Sequence, residues 1–453
     1  MEEDGFIIVP KPNAKRISNP PDFTTRDDDD GGDDGDDAPH FLSEIDSFVN
    51  TVAEKLWPLN RFIHQNPELA YKEHKAHDAL TSFFQTQPGW VVTRSAYGIP
   101  TAWTALFSSP HQPGPTVSFN VEMDALPNLG HACGHNLIAT ASLAAGLATA
   151  RVMSAHGLPG RVLILGTPGE EGHDGAKIRL LKAGAYSGVD VSLISHPGIL
   201  NNSPLVRTTA FARFEVEYFG LAAHGANSPW KGINALDALV VAYNAVSVLR
   251  QQTMPDDVIG LSITNGGGPA ANVIHAYASG VCVIRASSSA RLKVLQAKVE
   301  GCFKAGGEAT GAEVKIKVIE GYKDHVPNRV LAGSYARYWN KLDDVPEPRI
   351  PEGGRVTWVK ASTDQGNLSY ALPSVNASFA IPPGPERGQP HSRDFEVAAG
   401  RREAFDRALR VGKALAGTAV DVLSVEGRVA EVWKEWRRDM ERMKEYNYES
   451  FGL

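Results

Sequence analysis

The chain has 453 residues, 42% hydrophobic and 21% charged, with a formal net charge of −7. That length predicts two domains plus tails, and that balance describes a globular protein rather than a fibrous or wholly disordered one. No basic stripe stands out, so nucleic acid is not an expected partner.

The three cysteines, Cys133, Cys282 and Cys302, are odd in number and scattered, so no disulfide framework is expected. The opening MEEDGFIIVPKPNAKR lacks the basic and apolar regions of a secretory signal. No 18 residues run apolar without interruption, which argues against a membrane span. A reducing, cytoplasmic setting is the expectation.

Residues 1–40 read as a disordered acidic leader: RDDDDGGDDGDDAP is too polar and self-repelling to pack. From about Phe41 apolar residues recur three and four apart, which predicts helix. Three β-type runs follow, each ending in polar residues. TVSFNVEMDALP leads to Asp124, RVLILGTPGEEG to Glu170 and Glu171, and DVSLISHPG to His196. Helical stretches separate them, which predicts an α/β domain with a mostly parallel sheet. Ligands of such sheets gather at the carboxyl ends of the strands.

Residues 207–320 carry a different pattern: strand, helix, two strands, helix, strand. That βαββαβ order predicts an inserted ferredoxin-like unit. The first pattern resumes over 321–424, so 41–206 and 321–424 are read as two parts of one catalytic domain. Residues 425–453 predict a charged helix with an apolar stripe through Val429, Val432, Trp433, Trp436, Met440 and Met443.

GHACGHN places Cys133 and His135 at a turn before a helix, where they either pack or hold a metal. Adjacent Glu170 and Glu171 suit a division of labour, one binding metal while the other takes a proton from water. His196 and His391, taken singly, have ordinary packing or loop readings. Cys133, His135, Glu171 and His196 all follow consecutive strand-like runs, however, and together they point to a site. Gly266–Gly268 is no phosphate cradle, since no Lys-Ser/Thr follows. No GxSxG elbow is present. Cys282 and Cys302 read as core fillers.

The blocks MDALPNLGHACGHNLIA, GTPGEEG, ISHPG, HGANSPWKGINALDA, NGGGPAANVI, STDQGNLS and PHSRDFEVAAG occur in this order. They resemble the metallopeptidase and amidohydrolase family that includes aminoacylase-1, carnosinase, bacterial hippurate hydrolases and plant auxin-conjugate hydrolases. The resemblance is nearest to its dipeptidases that accept a basic C-terminal residue.

It implies a parallel-sheet catalytic domain with a ferredoxin-like lid that also forms a homodimer. Cys133, His135, Glu171, His196 and His391 would ligate two divalent ions, zinc first, with manganese or cobalt as alternatives. Glu170 would be the general base, and Asp124 would support the ligands from behind. His224 would reach the partner's site to steady the oxyanion, while Asn272 and Arg285 would contact substrate, the Arg285 guanidinium pairing with the substrate's carboxylate. His131 matches the motif in a structural role. Two positions depart from the family pattern: Glu122 stands where many relatives carry a histidine ligand, and Asn136 where bacterial members of this branch carry aspartate.

The implied activity is hydrolysis of a small amide or dipeptide. The alternatives are an N-acyl-amino-acid amidohydrolase and a non-catalytic scaffold; the latter would lack a ligand or the base, and none is missing.

Overall fold

The computed structural model describes residues 2–3, 6–7, 39–110, 113–172, 175–199, 202–342, 349–351 and 354–449. The aspartate-rich part of the leader lies outside them. The chain divides into two compact units, one of residues 28–211 and 319–436, the other of 1–27, 212–318 and 437–453.

The larger unit is built on a six-stranded sheet. Its strands are β1 (Trp90–Arg94), β2 (Trp103–Ser108), β3 (Thr116–Val121), β4 (Arg161–Gly166), β5 (Val191–Gly198) and, from the far side of the insertion, β10 (Ser374–Ala380). Their order is β10-β5-β3-β4-β2-β1. The first four are parallel; β2 and β1 add antiparallel at one edge. The mostly parallel sheet thus carries an antiparallel pair that the sequence reading did not single out.

Side chains alternate across the sheet. Ile164 joins the main core while its neighbour Leu165 joins a smaller cluster with Ala176, Leu180 and Leu368. Against the main-core face lies α3 (His135–His156). This helix is long and apolar enough to cross a membrane, yet 89% of its most apolar window is buried within the protein. Its run of small residues has a packing reason. A Cβ on Gly146 would meet Ile164 Cδ1 of the sheet at 2.6 Å, and one on Gly412 would meet Ala144 Cβ of α3 at 2.9 Å. Bulk there would push apart the sheet, α3 and α9 (Arg402–Ser424). Helix α1 (Leu42–Gln65) also packs on α3 and α9, and α2 (His74–Gln85) covers β1.

The tail helix α10 (Arg428–Glu449) begins on this larger unit. Its Val432 carbonyl accepts from Asn328 Nδ2, and Trp436 Nε1 donates to the Ser369 carbonyl. Val432 is fully buried, so that part of the apolar stripe is core.

The smaller unit holds β6 (Ala210–Phe219), α5 (Ala235–Leu249), β7 (Val258–Asn265), β8 (Tyr277–Ala286), α6 (Ser289–Thr310) and β9 (Glu313–Tyr322). Its strands lie in the order β7-β8-β6-β9, with α5 packed on α6. The βαββαβ reading describes this element order. Asn234 and Ser288 cap the two helices by accepting from Leu236 N–H and Arg291 N–H. Cys282 is buried in β8 and Cys302 half-buried in α6.

Candidate metal centre and active site

Every larger-unit candidate sits at the mouth of the parallel sheet. Asp124 follows β3, Glu170 and Glu171 follow β4, and His196 lies near the end of β5. Cys133 and His135 flank the turn into α3. Gly134 between them has φ 78°, and a Cβ there would meet Pro197 Cγ at 2.6 Å. Only glycine fits that left-handed, crowded position. His391 arrives from the loop before α8 (Arg393–Ala399), whose cap Ser392 accepts from Phe395 N–H. Its backbone is held at φ 71°, and its N–H donates to the Ala132 carbonyl at 2.8 Å. That strained conformation seats the imidazole against the Cys133 turn.

Among the described residues these side chains meet in overlapping groups; two are made of ligand candidates alone, and another joins His135 and Glu171 to Glu170. Ligand atoms of Cys133, His135 and His196 lie within 4.8 Å of one another, and so do those of Cys133, Glu171 and His391. The five candidate ligands are therefore brought together, with Cys133 common to both sets.

Their orientation is fixed from behind. Asp124 Oδ1 faces His135 Nδ1 at 3.1 Å, and Asp124 Oδ2 accepts the Glu171 backbone N–H at 2.8 Å. His196 Nδ1 donates to the Pro197 carbonyl at 2.9 Å, leaving Nε2 3.3 Å from Cys133 Sγ. Each imidazole thus spends Nδ1 on an orienting acceptor and aims Nε2 at the shared centre, as metal-ligating histidines do. His135 Nε2 and Glu171 Oε1 are buried without a hydrogen-bond partner. His391 Nε2 stands 3.0 Å from Glu171 Oε1 but without hydrogen-bond alignment. Orphaned buried donors of this kind, with thiol, imidazole and carboxylate converging, fit divalent metal.

The electrostatics agree. Burial and the neighbouring Glu171 push the Cys133 thiol well above its usual range, so it is neutral until a cation draws off its proton. Burial, with Glu122 and Glu171 nearby, pushes Glu170 well above the ordinary carboxyl range. A raised carboxyl pKa is what a general base needs to take up a proton from water. The Glu170 loop is pinned by Tyr322, whose hydroxyl donates to the Glu170 and Gly172 carbonyls at 3.1 and 3.0 Å.

His131 is buried and stacked on His64, and burial holds it down at about 3. It belongs to neither triad. Asn136 Nδ2 donates to the Ala399 carbonyl, and its backbone oxygen accepts from Asn60, so it ties helices together away from the ligand atoms. Glu122, at the family's histidine position, is bonded to Lys177.

In the smaller unit, His224 and Asn272 come together. His224 pairs with Val273 across a short ladder, and Gly225 N–H donates to the Asn272 carbonyl. His224 Nδ1 accepts from Ala226 and Asn227 N–H, which places the ring proton on Nε2 as an outward donor. Arg285 is not brought to them. It stands near the far end of ten-residue β8, opposite Val258, roughly 26 Å along the strand from Tyr277.

Two contributors carried no local signal, Glu73 and Lys177, and Asp364 lay in the STDQGNLS block with no role assigned to it. Glu73 sits in a stretch that reads as an exposed helix start, yet it is fully buried and accepts from Gly169 N–H (2.8 Å) and Thr101 Oγ1 (2.8 Å). Burial and the charge of Asp124 raise its pKa to about 7. Its unfolded value is near 4.5, so the native state holds the extra proton between those values. Stability of the metal-free protein should therefore fall as pH rises from about 4.5 to about 7, by about 3 kcal/mol. Urea melts across that range should show the decline in wild type and a flatter profile in Glu73→Gln, which keeps the acceptor without the charge.

Residues 207–310 match the peptidase dimerisation domain of the M20 family. The Xaa-Arg dipeptidase of Mus musculus is 40% identical over 399 residues, covering 86% of this chain and 90% of its own length. The Xaa-Arg dipeptidase of Homo sapiens is 39% identical, covering 83% and 87%. The fold matches a Bacillus subtilis structure described as a dinuclear metal binding peptidase from the M20 family. Its TM-score is 0.59 at 17% identity, covering 82% of this chain and 99% of that one. At the identity and coverage of the two dipeptidases the chain belongs to the M20 metallopeptidase family, as an enzyme of its metal-dependent dipeptidase and amidohydrolase class.

Proposed function

We propose that the protein is a dipeptidase with two divalent ions, zinc by preference, cleaving small dipeptides with a basic C-terminal residue. The observation that carries this is the pair of donor triads sharing Cys133, with the buried Glu170 beside them. Thiolate and imidazole donors favour zinc. The basic preference rests on the names of the mouse and human relatives.

When bound, the ions supply Lewis-acid polarisation of the amide carbonyl and acidify water. The chain's own groups do the rest. Asp124 holds His135 and the Glu171 backbone in place. Glu170 takes the proton of the attacking water and returns it to the amide nitrogen, whose anion is a poor leaving group. His224, with its proton on Nε2, steadies the oxyanion.

His224 and Arg285 stand too far apart on one lid to serve one small substrate, which supports a homodimer in which one chain supplies each. Exposed apolar residues on the lid support this reading. Edge strand β7 exposes Val258 and Ile263, and α5 exposes Val240, Tyr243 and Val248. Tyr243→Glu combined with Val248→Glu should sediment as a monomer and lose turnover; an active monomer would separate dimerisation from catalysis. The three free cysteines support a cytoplasmic setting.

The substrate reading is tested by incubating zinc-loaded protein with Xaa-Arg and Xaa-Lys dipeptides, neutral dipeptides and N-acyl amino acids, and detecting released amines. Turnover concentrated on basic dipeptides is expected. Turnover of N-acyl amino acids alone would transfer the reading to an aminoacylase.

A further inference from the structure

Beside the ligand triads lies another donor cluster, Glu122, Glu170 and Asp364, whose carboxylate oxygens come within 4.8 Å of one another; all three residues are buried. Three carboxylates sealed from water at that spacing cannot all be ionised without a cation among them. The chain supplies one. Lys177 Nζ lies 2.6 Å from Glu122 Oε1 and 2.5 Å from Asp364 Oδ1, and its side chain has no solvent exposure. Asp364 Oδ2 also accepts the Lys177 backbone N–H at 2.9 Å. One residue therefore grips both oxygens of one carboxylate, through its backbone and its ammonium.

Lys177 is the second residue of α4 (Ala176–Lys182), so the helix entry aims the ammonium back at the strand-end cluster. Neutral groups are bonded to each other: Tyr186 Oη donates to Asn120 Oδ1, and Asn120 Nδ2 donates to Oε1 of Gln365, the residue after Asp364. The short contacts of Lys177 go to Glu122 and Asp364 and not to Glu170, the residue that must exchange a proton.

We propose that the Lys177 ammonium is a built-in cation standing in the place of a third metal ion. It neutralises Glu122 and Asp364 and confines divalent metal to the two triads that share Cys133. The inference rests on the two-ion reading above. The donor chemistry separates the two kinds of site: the Cys133 triads offer sulfur and imidazole, whereas the Lys177 cluster offers carboxylate oxygen alone, the set that suits manganese or magnesium. Glu122 Oε2 has no hydrogen-bond partner and faces His135 Nε2 at 3.4 Å. An uncompensated Glu122 would thus be a further ligand within reach of the centre.

The test is the manganese content of the full chain after dialysis in millimolar manganese, read by elemental analysis. Wild type should hold two ions per chain and Lys177→Met three. The third should be absent from the triple variant E122Q/K177M/D364N, whose cluster keeps the Glu170 carboxylate alone. If Lys177→Met does not fold without metal, refolding in manganese decides: recovered fold with three ions supports the proposal, and no recovery overturns it. A folded Lys177→Met with two ions overturns it while leaving the two-ion reading intact. A wild type that binds no ion sinks both.

Discussion

Glu170→Gln should keep its metal and lower kcat by about 10²–10⁴-fold, the usual contribution of a positioned general base. Glutamine has the size of glutamate but cannot take a proton from water. The loop should hold, because Tyr322 grips the backbone carbonyls of Glu170 and Gly172 rather than the side chain. A group used only in the transition state lowers kcat and kcat/KM together and leaves KM unmoved. Steady-state kinetics alongside metal analysis checks this. Undiminished turnover would remove Glu170 from its assigned role.

Cys133→Ala should have the next largest effect, because Sγ belongs to both triads. Loss of a supporting partner behind a ligand typically costs 10–100-fold in metal affinity, so loss of the shared ligand should cost more than about 100-fold. Activity should fall in parallel. His391→Ala removes a donor from one triad, at the more exposed rim, and should weaken one ion selectively. Calorimetric zinc titrations would separate the two variants. Wild-type binding should release the Cys133 proton and so strengthen as pH rises, a dependence reduced in Cys133→Ala. Equal losses in both variants would contradict a shared thiolate.

Much of this site was legible because its chemistry falls where strands end. Asp124, Glu170, Glu171 and His196 each close an apolar run, and the turn bearing Cys133 and His135 precedes a helix whose small residues mark close packing. His391 was reached through the family motif, since a loop histidine carries no pattern of its own. The lid was readable because its strands alternate and its helices are capped. Strands β1 and β2 were not singled out: β1 is a five-residue edge with only two half-buried positions, and the first half of β2 is so uniformly buried that alternation is lost. Lys177 and Glu73 were invisible for a different reason. A lysine at a helix start and a glutamate among charged neighbours read as solvated, and only partners brought from distant sequence bury them.

In the proposed centre, five side chains from separate stretches hold two ions at one point. Anomalous scattering from manganese- or zinc-loaded crystals tests it most directly. Two peaks about 3.5–4 Å apart are expected, one among Cys133, His135 and His196 and the other among Cys133, Glu171 and His391. No peak there, or metal seated instead among Glu122, Glu170 and Asp364 in the wild-type chain, would contradict it.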